Sequence, residues 1–159
     1  MNGVSRVSLL EDVSLVTFHQ IPSDLIFLSE VLEEFSDAKI NIDMISQSAP
    51  TGGQVSVSFT VPSADLPQVL TVIGQIRKKY PAAKPFVSSG NSKIALYGPE
   101  MKEMYGVASA AIRAVTASGA EVTMITTSEM DISLLMTDFH LDDALAALEK
   151  AFGVRCAKA

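Results

Sequence analysis

Two carboxylates stand where binding chemistry could occur. Asp43 lies in INIDMISQS (residues 40–48), and Glu129 directly follows AEVTMITTS (residues 120–128). A carboxylate at the end of an apolar run can accept charge-assisted hydrogen bonds from an ammonium group. Tyr105 and Gly106 sit at the predicted start of a helix, where unpaired backbone N–H groups and the positive dipole end suit an anion. Glycine there lets the backbone approach a ligand closely. The plainer readings stand beside these. Asp43 also reads as a solvated charge at a strand end, and Glu129-Met130-Asp131 as an ordinary hairpin turn. Nothing in the chain reads as a catalytic constellation. G-x-S-x-G is absent, Cys156 has no histidine partner, and His19 and His140 fall outside metal-ligand spacing. The two histidines read as surface residues, and Glu30, Glu33, Glu34 and Asp37 as one solvated helix face. No catalytic residue, metal or cofactor is expected.

The elements around these residues occur twice. Met44, Ile45 and Ser48 recur as Met124, Ile125 and Ser128 at one fixed offset. Before the first window, residues 23–38 place Leu25, Leu28, Val31, Leu32 and Phe35 at helical spacing, with Ser23-Asp24 as a cap. Before the second, residues 106–120 do the same with Val107, Ala111, Ile112 and Val115, and Gly119 closes the helix. A strand-like run precedes each helix: 14–18 (SLVTF) and 93–97 (KIALY). Residues 54–61 alternate apolar and polar as a half-buried strand should, after a Thr51-Gly52-Gly53 turn. Their counterpart is 131–136. Helices follow at 64–80, with Pro67 in the first turn, and at 141–152.

Each half thus reads strand–helix–strand–strand–helix, one strand short of a ferredoxin-like βαββαβ unit. Residues 84–88 can complete the first half. After Phe152 only a short tail without a β-rich run remains, so the second half lacks its own fourth strand. Residues 4–10 (VSRVSLL) are strand-like and unused. They are expected to cross over and complete the second unit, with residues 88–92 as the crossing between units. The expected fold is α+β: unit 1 over residues 14–90, and unit 2 over residues 4–10 plus 91–153.

Composition narrows the function classes. The chain has 159 residues, 48% of them hydrophobic, and a net charge of −6. Disorder is not expected at that apolar content. A nucleic-acid partner is not expected either, since the one basic cluster, Arg77-Lys78-Lys79, sits at a helix end where cations offset the dipole. No apolar run is long enough for a membrane span, and Glu11-Asp12 interrupts any signal-like core. A soluble, cytoplasmic protein is expected. Cys156 reads as an incidental thiol in the tail.

The paired units, with INIDMI in the first and MKEMYGVASAAIRAVTASGAEVTMITTSE (residues 101–129) in the second, resemble the tandem ACT domains of aspartate kinases. The second stretch is similar to that family's pattern MK/R-x-x-P-G-V … I-x-x-I-x-T-S-E. The resemblance covers nearly the whole chain and implies a non-catalytic regulatory module that binds lysine or threonine for feedback control. It implies a homodimer, and an aspartate kinase catalytic subunit as a possible partner. Its effector site forms where the first unit of one chain meets the second unit of its partner. Carried over, that site uses Asp43 with Met101, Lys102, Met104, Gly106, Val107, Ala108, Ser128 and Glu129. The two carboxylates suit the basic side chain of lysine. Tyr105 stands where the family has proline, and Ala108 where a hydroxyl is common. A second site, used for threonine in some relatives, maps onto Ser23, Ile26, Leu28, Gln47, Glu121 and Val122. Ile26 replaces a loop glycine there and Glu121 an asparagine, so that site is expected to be weak, lost or altered in preference. The alternatives are a stand-alone amino-acid sensor and a structural dimerisation module without a ligand.

Overall fold

A computed structural model describes residues 2–158. The chain divides into two compact units. A central unit comprises Asp12–Ser89, and a split unit joins the segment up to Glu11 with the segment from Gly90 onward. Two long strands run through both: β1 (Arg6–Pro22) and β4 (Pro85–Tyr97). The sequence suggests two short strands in each place, with a connecting segment at residues 88–92. The structure corrects this, because that segment is part of β4. The physical reason is local. Asp12 (φ 57°) and Gly90 (φ 74°) adopt left-handed conformations inside these strands. One such residue turns the backbone without ending the strand. Pairing partners change at the same places: β1 meets its central-unit partner from Val13 on, and β4 meets its split-unit partner from Asn91 on.

In the central unit α1 (Ile26–Asp37), β2 (Ile45–Gln47), β3 (Gln54–Pro62) and α2 (Leu66–Lys79) follow β1. The strand order is β2-β3-β1-β4, with β3 antiparallel to both β1 and β2. This is the ferredoxin-like order. Gly52 (φ 59°) and Gly53 (φ 74°) form the two-residue turn into β3, closed by reciprocal hydrogen bonds between Thr51 and Gln54. α1 buries Phe27, Val31 and Phe35, one turn apart. Leu25, expected in that stripe, instead precedes the helix at φ 36° and is exposed. Phe18, Phe27, Phe35 and Phe59 make edge and stacked contacts at 5.0–6.3 Å between centroids. Val69, Val72, Ile73 and Ile76 of α2 close the core.

The split unit contains α3 (Val107–Ala117), β5 (Val122–Thr127), β6 (Asp131–Thr137), α4 (Leu141–Phe152) and β7 (Cys156–Lys158). Its order is β5-β6-β4-β1, so the N-terminal part of β1 takes the fourth-strand place. Val4, Val7 and Leu9 are buried in this unit's core beside Ile94, Leu134, Met136 and Leu148. The tail departs from its expectation. Gly153 (φ 66°) turns the chain out of α4, and β7 pairs parallel with Val7, Ser8 and Leu9 of β1. The Cys156 N–H donates to Glu149 Oε2 at 3.2 Å, and Lys158 reaches Glu11 at 3.6 Å. Local β-propensity in the tail is low, and the unpaired edge of β1 supplies the ladder that propensity does not.

Candidate functional site

β4 ends at Tyr97, and the chain reaches α3 through Gly98, a 3-10 turn at Pro99–Glu103, and residues 104–106. The turn is tied to its own start: the Met101 N–H donates to Gly98 O, and the Met104 N–H to Met101 O, each at 3.1 Å. Gly106 precedes the helix at φ 84°, a conformation that favours glycine. Among the described residues no side chain caps α3. Its first turn carries no acidic residue either, so the N–H groups there form a positive dipole end without a capping carboxylate. Tyr105, 98% exposed, projects just before it.

The β5–β6 hairpin tip is joined to this loop. The Ser128 N–H donates to Asp131 O at 2.8 Å, and the Met130 N–H to Ser128 Oγ at 3.3 Å. The Gly98 N–H donates to Met130 O at 2.9 Å, which couples the tip to the start of the loop. Asp131 accepts from the Ser133 hydroxyl at 2.7 Å and pairs with Tyr97 across the ladder.

The expected site residues separate by role. Lys102, Gly106, Ala108, Ser128 and Glu129 are exposed in the split unit. Met101 and Val107 are buried members of its core, with Met104 packed half-buried against them. Those three shape the loop from beneath. Asp43 is exposed in the central unit, where its N–H donates to Thr60 O at 3.2 Å. Next to it, the Met44 N–H donates to Thr60 Oγ1 at 2.9 Å, which satisfies a buried hydroxyl.

The second group also divides. Ser23, Ile26, Leu28 and Gln47 belong to the central unit, Glu121 and Val122 to the split unit. At α1 the Ile26 N–H donates to Asp24 Oδ1 at 3.3 Å. A protein carboxylate thus stands at the start of α1, while α3 has none from a capping side chain. Ile26 itself is 65% exposed. The Glu121 carbonyl accepts from Thr137 at 3.2 Å, and its side chain is exposed.

Perturbed titration lies away from this loop. The Tyr80 hydroxyl donates a hydrogen bond to Glu30, and Lys79 lies 3.3 Å from the same oxygen. These hold the Glu30 carboxyl below its ordinary range, with Tyr80 the larger cause, and push the Tyr80 phenol up. Burial, then Glu149, raises the Cys156 thiol. His19 Nδ1 lies 3.4 Å from Ser56 Oγ with its ring on Phe86, and His140 Nδ1 lies 3.3 Å from Asp143. Among the described residues no group of three or more His, Cys, Asp or Glu side chains could hold a metal. Among them, too, no helix is long and apolar enough to cross a membrane.

Sequence reasoning overlooked Gly98. The Gly98-Pro99 dipeptide is a turn signal, yet nothing local shows that its missing Cβ makes room for another part of the chain.

Comparison with known proteins agrees with this architecture. The ACT domain matches twice, at residues 27–78 and 94–152, together more than half of the chain. An aspartokinase of Mycobacterium bovis is 29% identical over 156 residues, covering 97% of this chain and 36% of that protein. The chain therefore spans about a third of the length of such relatives. The aspartate kinase structure from Synechocystis superposes with a TM-score of 0.91 at 28% identity, over 98% of this chain and 28% of that one. The regulatory subunit of aspartate kinase from Thermus thermophilus, in a ligand-free form, shares the fold at a TM-score of 0.86 and 24% identity. That match covers 95% of this chain and 99% of that one. Two matched segments, one within each unit, settle the family: the chain belongs to the ACT-domain proteins and carries two ACT domains.

Proposed function

We propose that this chain is a non-catalytic regulatory module of the aspartate kinase type, which binds a free amino acid and thereby biases a kinase catalytic partner in the cytoplasm. The observation that carries the reading is the uncapped start of α3 behind Gly106, tied through Gly98 to the tip bearing Ser128 and Glu129. Helix N–H groups suit the effector carboxylate, and exposed carboxylates suit its ammonium groups. The effector site joins Asp43 of one protomer to the Lys102–Ala108 and Ser128-Glu129 segments of its partner, with Met101, Met104 and Val107 shaping the floor. Lysine is favoured over threonine for two reasons. Glu129 and Asp43 can engage an ε-ammonium, and at the second site Asp24 already accepts the Ile26 N–H, so a ligand carboxylate would meet a like charge. Regulation follows from binding one arrangement of the dimer better than another.

A well-formed charged hydrogen bond contributes about 1.5–3 kcal/mol, less where solvent reaches it. Titration calorimetry against lysine, threonine, methionine and the remaining amino acids tests the reading. Lysine should give the largest heat, weakened by Asp43→Ala and by Glu129→Ala. Lysine binding that survives both substitutions would refute the site. No heat with any amino acid would favour a dimerisation module instead.

A further inference from the structure

The N-terminal segment lies directly on the loop that leads to α3. Two glycines permit this. A Cβ built on Gly98 would meet Gly3 O at 1.7 Å and Val4 Cα at 3.1 Å. One built on Gly3 would meet Met104 Sδ at 3.0 Å and Val107 Cγ2 at 3.2 Å, and Gly3 also needs φ 104°. The contact has no slack, because Gly3 and Val4 are both buried. It is anchored on the next residues: the Ser5 N–H and hydroxyl both donate to Tyr97 O, at 2.8 and 3.2 Å. The Arg6 guanidinium lies 4.9 Å from the Tyr97 ring centroid. Gly98 thus meets Gly3 on one side while its N–H holds the hairpin tip at Met130 O.

We infer that Gly3 and Val4 are positioning residues for the effector loop: docked on Gly98 and Met104, they set the conformation in which residues 98–106 present the first turn of α3. This rests on the reading of that loop as the effector site. Because the contact is tight, displacing the segment must shift Met104 and Gly98, and any ligand that fixes the loop must in turn hold the segment down. Effector occupancy and the placement of the N-terminal segment are then coupled through this contact.

Hydrogen exchange on the full chain tests this without any ligand. Gly3→Ala should speed exchange of the Gly98, Met101 and Met104 amides roughly tenfold, while α4 and central-unit amides keep their protection. Met104→Ala, a half-buried truncation, should speed exchange at the Ser5 amide by a similar factor. The double variant should show less than the sum of the two effects, since both act through one contact. Gly74→Ala, with open space around it, should do neither. Unchanged loop amides in folded Gly3→Ala, or additive effects, would overturn the inference. If Gly3→Ala does not fold, an unchanged Ser5 amide in Met104→Ala overturns it instead. A lysine titration of the same variants forms a separate arm, in which Gly3→Ala should weaken binding severalfold. If wild-type chain binds no amino acid, the effector reading fails, and the exchange results still decide whether the segment positions the loop.

Discussion

Glu30 owes its low pKa to the end of a different helix. Tyr80 and Lys79 close α2 and reach the middle of α1, and the Phe27 ring meets Tyr80 edge-on at 4.9 Å. The sign of the pH dependence follows. A depressed carboxylate pKa contributes stability above its ordinary value of 4.5 that is lost as pH falls through the folded pKa. The raised phenol contributes below its ordinary 10.0, and that contribution is lost as pH rises through the folded value. Tyr80→Phe should therefore lower the melting temperature near neutrality, and the gap from wild type should narrow below pH 4. Melting curves across that range would show it, and a gap constant with pH would contradict it. Gly98 makes a second prediction at this scale. Its φ of −169° is ordinary extended backbone, so Gly98→Ala fails by collision with Gly3 O and not by strain. The cost should be about 1–3 kcal/mol or more, read by urea denaturation.

Elements show what pairing adds to propensity. β1 holds 17 residues although Glu11 and Asp12 interrupt its apolar pattern. It persists because it has a ladder on both sides of the interruption, to β7 and to β3. Removing residues 2–10 should unfold or aggregate the split unit, which loses Val4, Val7 and Leu9 from its core and its fourth strand. Retained solubility and an unchanged melting temperature would show that the strand does not complete that unit. β7 is a smaller matter. Truncation after Arg155 removes three paired residues and the Lys158–Glu11 contact, and should cost about 1–2 kcal/mol by denaturant titration.

For the whole molecule the repeat has a consequence for assembly. Ile45 on β2 and Ile125 on β5 are each 46% exposed, on strands that end the order of their respective units. Apolar edge strands are a liability unless another chain covers them. Sedimentation at micromolar concentration should show a dimer or larger species. A 16.9 kDa monomer would contradict this and, with it, the proposed two-protomer site.

The repeat, the α+β class and the four helices were legible in the residues, because apolar periodicity and turn glycines act locally. Residues 141–152 are the clearest case: Leu141, Ala144, Leu148 and Phe152 bury one face, and Gly153 ends the helix. The resemblance at residues 101–129 was legible too, since it lies in one contiguous stretch. What tertiary structure alone decided were the long-range matters. Residues 88–92 look like a loop, yet they lie in β4, because a neighbouring ladder overrides Ser/Gly composition. The tail looks unstructured, yet it pairs with a strand from the other end of the chain. The need for glycine at position 98 arises from a carbonyl at position 3, and no local pattern encodes a contact between residues so far apart in sequence.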